Sequence, residues 1–188
     1  MKTDNNDKIN LGIFGGSCSG KDSQMIQNIK NIASSIDTEK YQVCFGGGND
    51  GIMAMVPKFF SERGGDVLGI NWQGFTKYGR QQFGNEIIYG TFRDRQYSLL
   101  FKSNIFLCLP GGLGTVSELI EVLMNNASKF WKDKESFKKI IVYNYNNFYD
   151  PIKEMIKKQE ENGFLHYPDK LSVVFLEDFN EIIELLNN

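Results

Sequence analysis

Apolar residues fall along this chain in two rhythms. Short unbroken runs occur at INLGIF (9–14), YQVCF (41–45), DVLGIN (66–71), SNIFLCLP (103–110), KKIIVYNY (138–145) and LSVVFLE (171–177). Runs of this length, bounded by Gly, Pro, Asn or Asp, predict strands buried on both faces. NEIIYGTF (85–92) predicts a further short strand or connector. Between the runs, apolar residues recur every three or four positions. Met25, Ile26, Ile29, Ile32 and Ala33 share one helical face, and Ile52, Met53, Val56, Phe59 and Phe60 share another. Further helices are predicted from Asp94 to Lys102, over SELIEVLMNNA (117–127), over PIKEMIKKQEENG (151–163) with Pro and Gly as its punctuation, and over DFNEIIELL (178–186). Buried strands alternating with helices predict an α/β fold: a Rossmann-like, doubly wound parallel sheet in three layers, forming a single nucleotide-binding domain over residues 1–188. The longest weakly patterned stretch is QGFTKYGRQQFGNE (73–86).

In such a sheet ligands bind outside the carboxyl ends of the strands. Three glycine-rich loops sit at predicted carboxyl ends, after Phe14, Phe45 and Leu109. The first, GGSCSGKDS (15–23), is nearly a phosphate-binding P-loop, with Gly15, Gly20 and Lys21 in register. A P-loop needs Ser or Thr after the Lys to hold Mg²⁺, and here stands Asp22. A carboxylate beside a metal-free phosphate cradle is repulsive, and Ser23, one position late, faces another side of the helix. The segment therefore reads as a helix start, Ser19 as N-cap and Asp22 at the positive end of the dipole, with Lys21 in solvent. VVFLED (173–178) ends in acid like a Walker B strand, but equally well caps the last helix. The second loop, GGGNDG (46–51), suits close approach of a ligand and a tight turn with Asp50 as cap equally well. The third, PGGLGTVSE (110–118), is the richest. Pro110 stops the strand, Gly111, Gly112 and Gly114 bare their N–H groups, Thr115 adds a hydroxyl, and a helix starts at once. Thr115 to Glu118 also reads as a capping box. Three glycines exceed what a cap requires, so anion binding is favoured.

Composition narrows the partners. The formal net charge is −2 and the 21 Lys and Arg residues are scattered, which speaks against polymeric nucleic acid. No apolar run approaches a membrane span, and MKTDNNDKIN (1–10) lacks the apolar core of a secretion signal. Cys18, Cys44 and Cys108 show no metal-ligand spacing. Cys44 and Cys108 lie in apolar runs, so buried reduced thiols and a cytoplasmic setting are expected. His166, the single histidine, reads as a surface loop residue. Ser17 and Ser19 have no local base and no nucleophile-elbow context.

These loops resemble those of a known family. PGGLGTVSE is similar to the PGGxGTxxE signature of the Lonely Guy family, the nucleoside 5′-monophosphate phosphoribohydrolases that activate cytokinins. GGSCSG resembles that family's CGSSxG loop with Gly15 in place of Cys, and GGGNDGIMAMV its GGGxxGLMGxVA. Arg95, fifteen residues before Pro110, matches the family's Arg, and NYNNFYDP (144–151) resembles a further conserved stretch of that family. The resemblance covers roughly residues 9 to 165. This sequence departs from it at Gln96, where the family has Lys, at Phe92-Arg93-Asp94, where it has Met-His-Glu, and at Asn71-Trp72, where it has Ile-Pro.

The resemblance implies hydrolysis of the N-glycosidic bond of a purine or cytokinin ribotide to free base and ribose 5-phosphate. Arg95 and Glu118 are the implied catalytic residues. Gly111, Gly112, Gly114, Thr115, Ser17 and Gly47 are implied to hold the nucleotide and its phosphate, with Gln96 and Glu121 in support. The reaction calls for no metal and no cofactor. A homodimer or larger homo-oligomer is expected, and MNNASKFW (124–131), with Phe130 and Trp131, offers apolar material for it. The departure at Gln96 keeps open a second reading, a nucleotide-binding protein of the same fold without turnover.

Overall fold

The computed structural model describes residues 8–75, 80–128, 137–165 and 168–188. Its elements run β1 (Ile9–Phe14), α1 (Ser23–Ser35), β2 (Tyr41–Phe45), α2 (Gly51–Glu62), β3 (Asp66–Trp72), β4 (Asn85–Tyr89), α3 (Phe92–Lys102), β5 (Ile105–Cys108), α4 (Leu113–Ala127), β6 (Lys139–Tyr143), α5 (Asp150–Glu161), β7 (Val173–Leu176) and α6 (Phe179–Asn187). The strands form one parallel sheet in the order β4-β3-β2-β1-β5-β6-β7. The short run at 85–89 is thus an edge strand, paired to β3 from Leu68↔Asn85 to Trp72↔Tyr89. Chain direction along the sheet reverses between β1 and β5. The first and third glycine loops leave the sheet side by side at that switch point.

The unbroken apolar runs have their physical reason in two cores, one on each face. Leu11, Ile13, Val43 and Phe45 pack under α1, α2 and α6 with Ile29, Val56, Phe60 and Ile182. Phe14, Cys44, Phe106 and Cys108 pack under α3, α4 and α5 with Leu99, Leu119, Val122 and Tyr149. Central strands with both faces covered have no polar side to alternate with. Cys44 and Cys108 are buried free thiols, pushed up to about 12 by burial and so held as unreactive neutral groups, whereas Cys18 is exposed.

Three helix starts differ from the sequence reading, that of α3 by beginning at Phe92 and not Asp94. α1 is capped by Asp22, not Ser19: the Asp22 carboxylate accepts from Gln24 N–H at 2.9 Å and Met25 N–H at 3.1 Å. These bonds, with one from the Tyr145 hydroxyl, hold the Asp22 carboxyl below its usual range. α4 begins at Leu113 with Gly112 as its N-cap, four residues before the predicted Ser117. Thr115 therefore lies inside the first turn and is buried, and Thr115 to Glu118 is not a capping box. His166, Phe130 and Trp131 lie outside the described residues.

Gly12 shows how tightly the central strands are packed. It pairs with Phe106 across β1 and β5, and a Cβ built on it would lie 2.6 Å from the Phe106 ring and 2.8 Å from Ser103 Oγ. Phe106 is itself stacked on Phe14 at 4.9 Å and cannot retreat. We expect Gly12→Ala to lose about 1–3 kcal/mol of stability by overpacking, read from urea denaturation. An unchanged unfolding midpoint would contradict this packing.

Candidate functional site

The three glycine loops are stitched together through backbone groups. Gly16 N–H donates to Pro110 C=O at 3.2 Å, joining the first loop to the third. Met53 N–H donates to Gly16 C=O at 3.0 Å, joining it to the start of α2. This closeness is what the glycines permit. A Cβ on Gly51, at φ +69°, would fall on the backbone of Ser17, and one on Gly111 would lie 2.7 Å from Gly16 N. Several glycines therefore serve the meeting of the loops.

Between the loops lies a cleft of about 600 Å³, within the range of small-molecule sites. The N-terminus of α4 opens into it. No side chain caps that end, and the first backbone bond of the helix is Val116 N–H to Gly112 C=O at 3.1 Å. The N–H groups of Leu113, Gly114 and Thr115 precede that bond, so the helix presents donors and the positive end of its dipole to the cleft. Ser17, Thr115 and Ser117 add hydroxyls along the same lining.

Arg95 and Glu118 meet at the cleft. α3 carries Arg95 and α4 carries Glu118, and Arg95 Nη1 donates to Glu118 Oε1 at 2.7 Å. Arg95 is 5% exposed, and its Nε donates to Ile70 C=O at 3.0 Å, which fixes the guanidinium against β3. Gly46 makes room for it, since any Cβ there would collide with Nη2. Burial pushes the Glu118 carboxyl above its usual range, with the charge and hydrogen bond of Arg95 pulling the other way. Glu121, one turn further along α4, is half-buried and also raised, by burial and then by the Glu118 charge. Among the described residues no cluster of three or more His, Cys, Asp or Glu side chains is placed to hold a metal ion.

The other expected site residues divide. Gly112, Gly114, Thr115, Ser17 and Gln96 line the cleft. Gly47 and Gly111 do not. Gly47 turns at φ +75° against Asn71, and its carbonyl accepts from Asn71 Nδ2 and from Gln81 N–H, both at 3.2 Å. Gly111 packs on Thr115 and Gly16. Gly46 and Gly48 line the cleft in place of Gly47. Met53 and Phe75 also line the cleft, without a functional signal in the sequence. Met53 carries the helical signal of a core residue, and Phe75 lies in the stretch whose pattern predicts no element.

A family model described as "possible lysine decarboxylase" matches residues 53–186. Cytokinin riboside 5′-monophosphate phosphoribohydrolase LOG5 of Arabidopsis thaliana is 27% identical over 177 residues, covering 93% of this chain and 75% of that protein. LOG2 of the same plant is 25% identical over 177 residues, covering 93% and 80%. Among solved structures, the molybdenum cofactor carrier protein of Chlamydomonas reinhardtii superposes with a TM-score of 0.63 at 17% identity, over 96% of each chain. The molybdenum cofactor binding protein of Rippkaea orientalis does so with a TM-score of 0.64 at 19% identity, again over 96% of each. The structural likenesses establish the fold.

The electrostatics of the pair give a direct expectation. A carboxyl whose pKa is raised on folding contributes stability that is fully present below its unfolded value and lost as pH rises through its folded value. The Glu118 carboxyl is expected to titrate above 4.5 by carboxyl-carbon NMR, and higher still in Arg95→Ala, where burial acts without the opposing charge. A midpoint at or below 4.5 in the native protein would overturn this balance.

Proposed function

Because the chain belongs to the Lonely Guy family, whose model is described as possible lysine decarboxylase, we propose that it is a nucleoside 5′-monophosphate phosphoribohydrolase. It cleaves the N-glycosidic bond of a purine or cytokinin ribotide, releasing the free base and ribose 5-phosphate. The observation that carries this reading is the buried Arg95–Glu118 pair beside the uncapped N-terminus of α4.

The roles follow from the chemistry of each group. The N–H groups at Leu113, Gly114 and Thr115 hold the 5′-phosphate, with hydroxyl donors from Ser17 and Thr115. This anchor fixes the ribose against Glu118 and replaces free encounter by a held geometry. Glu118 positions water and stabilises positive charge growing at C1′ as the bond to the base lengthens. The C1′–N bond breaks as the water oxygen bonds to C1′. Glu118 takes the water proton and passes it to the nitrogen of the departing base, so the base leaves neutral, ribose 5-phosphate keeps only its phosphate charge and the carboxylate is restored. Arg95 stays protonated and acts as a hydrogen-bond donor and fixed charge, not as the acid. A carboxyl raised by burial is suited to this exchange, because its affinity for a proton lies nearer the working pH. Glu121 and Gln96 lie next to Glu118 and support its orientation.

The neutral side chain at Gln96 favours a second reading, a protein that binds a nucleotide or nucleotide-like cofactor without turnover. Two solved structures of the same fold are a molybdenum cofactor carrier protein and a molybdenum cofactor binding protein.

One assay separates the two. The purified protein incubated with AMP or an N6-substituted AMP should release free base, detected by chromatography. Glu118→Gln and Arg95→Ala should each lower the rate at least about 100-fold. Nucleotide binding without base release in the native protein would sink the hydrolase reading in favour of the binding one.

A further inference from the structure

A tyrosine holds the start of the third glycine loop from inside the core. β5 pairs with its neighbours as far as Cys108, which lies opposite Phe14 on one side and Val142 on the other. Leu109 is the next residue, so its carbonyl lies past the last paired position. The Tyr149 hydroxyl donates to that carbonyl at 2.8 Å. Cys108 Sγ lies 3.4 Å from the same hydroxyl and donates to its oxygen, which leaves the hydroxyl proton for Leu109. Tyr149 is 1% exposed and packs in one core with Leu119 and Val122 of α4. Burial pushes its ionisation above the ordinary tyrosine range, so it remains a donor.

The peptide it grips has no other handle. Pro110 has no N–H, so the Leu109 carbonyl is the single hydrogen-bonding group of the peptide that opens the loop. The next peptide is held by the first loop, where the Pro110 carbonyl accepts from Gly16 N–H at 3.2 Å. Gly112, the N-cap of α4, follows closely. Two successive peptides are thus fixed, one from the core and one from a neighbouring loop, just before the bare N–H groups of α4 begin.

The chain after β6 is shaped to deliver this hydroxyl. Asn146 and Asn147 turn at φ +48° and +60°, a region that asparagine tolerates better than most side chains. Asn144 is buried; its Oδ1 accepts from Tyr149 N–H at 2.7 Å and its Nδ2 donates to Asp150 Oδ1 at 2.8 Å. One side chain so clamps both residues at the start of α5. Asn144 N–H donates to Leu176 C=O at 2.7 Å, which ties the clamp to β7.

We propose that Tyr149 is a positioning residue for the anion site. Through the Leu109–Pro110 peptide it sets where the N–H groups of Leu113, Gly114 and Thr115 point, and Asn144 holds it in place. This rests on reading the N-terminus of α4 as the phosphate site. The hydroxyl lies outside the cleft lining and acts only through the loop. Donors turned away from their anion bind it less well, because hydrogen bonds weaken steeply with angle.

The test uses the full chain and Tyr149→Phe, which keeps the ring and its packing and loses the hydroxyl. Tyr143→Phe is the comparison. Tyr143 is as fully buried, in the core on the other face of the sheet, and its hydroxyl accepts from Asn28 Nδ2 at 2.9 Å. Inorganic phosphate is titrated against the amide NMR signals of Gly114 and Thr115. Tyr149→Phe should weaken phosphate about tenfold, and Tyr143→Phe should leave it within about twofold. Amide exchange reads the loop without any ligand. The Gly16 and Val116 amides, whose bonds end on Pro110 and Gly112, should exchange at least about fivefold faster in Tyr149→Phe and within about twofold of native in Tyr143→Phe. Asn144→Ala, which opens the clamp, should act in the same direction and carries the test if Tyr149→Phe does not fold. Phosphate affinity within about twofold of native in Tyr149→Phe overturns the positioning role, as do equal losses in the two phenylalanine variants. Native protein that binds phosphate in this hydroxyl-dependent way but releases no base from AMP removes the hydrolase reading and leaves the positioning role standing. Base release by the native protein with phosphate affinity unchanged in Tyr149→Phe does the reverse.

Discussion

A buried guanidinium held by one carboxylate and one backbone carbonyl organises this site. Arg95 is almost wholly enclosed, so its charge must be met inside the protein, and Glu118 at 2.7 Å meets it. Removing either partner of such a pair typically costs about 3–5 kcal/mol, because the other is left buried and uncompensated. The pair thus ties α3 to α4 and, through Ile70, both to β3. It also leaves the carboxyl of Glu118 desolvated, which raises its affinity for a proton against the pull of the Arg95 charge. The same contact that joins the helices tunes the group that faces the cleft.

Around the pair, the glycine loops act on each other before they act on any ligand. The first loop lies against the third through Gly16 and Pro110, and against α2 through Gly16 and Met53. Side chains at Gly51 or Gly111 would push these backbones apart. With the loops closed up, the uncapped N-terminus of α4, the pair and the rings of Phe75 and Phe92 line one cleft. The P-loop likeness of GGSCSGKDS has no counterpart here: Asp22 spends its carboxylate on the α1 cap, and Lys21 is exposed.

Much of this was legible residue by residue. The six unbroken apolar runs are strands because parallel strands with helices on both faces bury every side chain. Arg95 and Glu118 were legible through family resemblance, and the structure places them in contact. Gly47 was not legible, because a glycine that turns the chain and a glycine that admits a ligand look alike in sequence. Its positive φ and its contact with Asn71 separate them. The start of α4 is hidden in the sequence for a similar reason. Thr-x-x-Glu fits a capping box locally, but Glu118 finds a stronger partner in a buried cation on another helix. Phe75 carried no signal, since a single aromatic in an irregular stretch has no period to read.

By itself the sequence determined the elements, their parallel pairing and the position of three glycine loops at strand ends. These follow from local propensity and from the rule that buried strands are apolar throughout. Only the tertiary structure decided which side chains meet. The order of the strands sets α3 and α4 side by side across the switch point, and desolvation makes the Arg95–Glu118 contact obligatory once both are enclosed. It likewise brings Phe75, Trp72 and Phe92 together from a turn, a strand end and a helix start. Sequence distance holds no trace of such a meeting, because it depends on how far apart two strand ends lie in space.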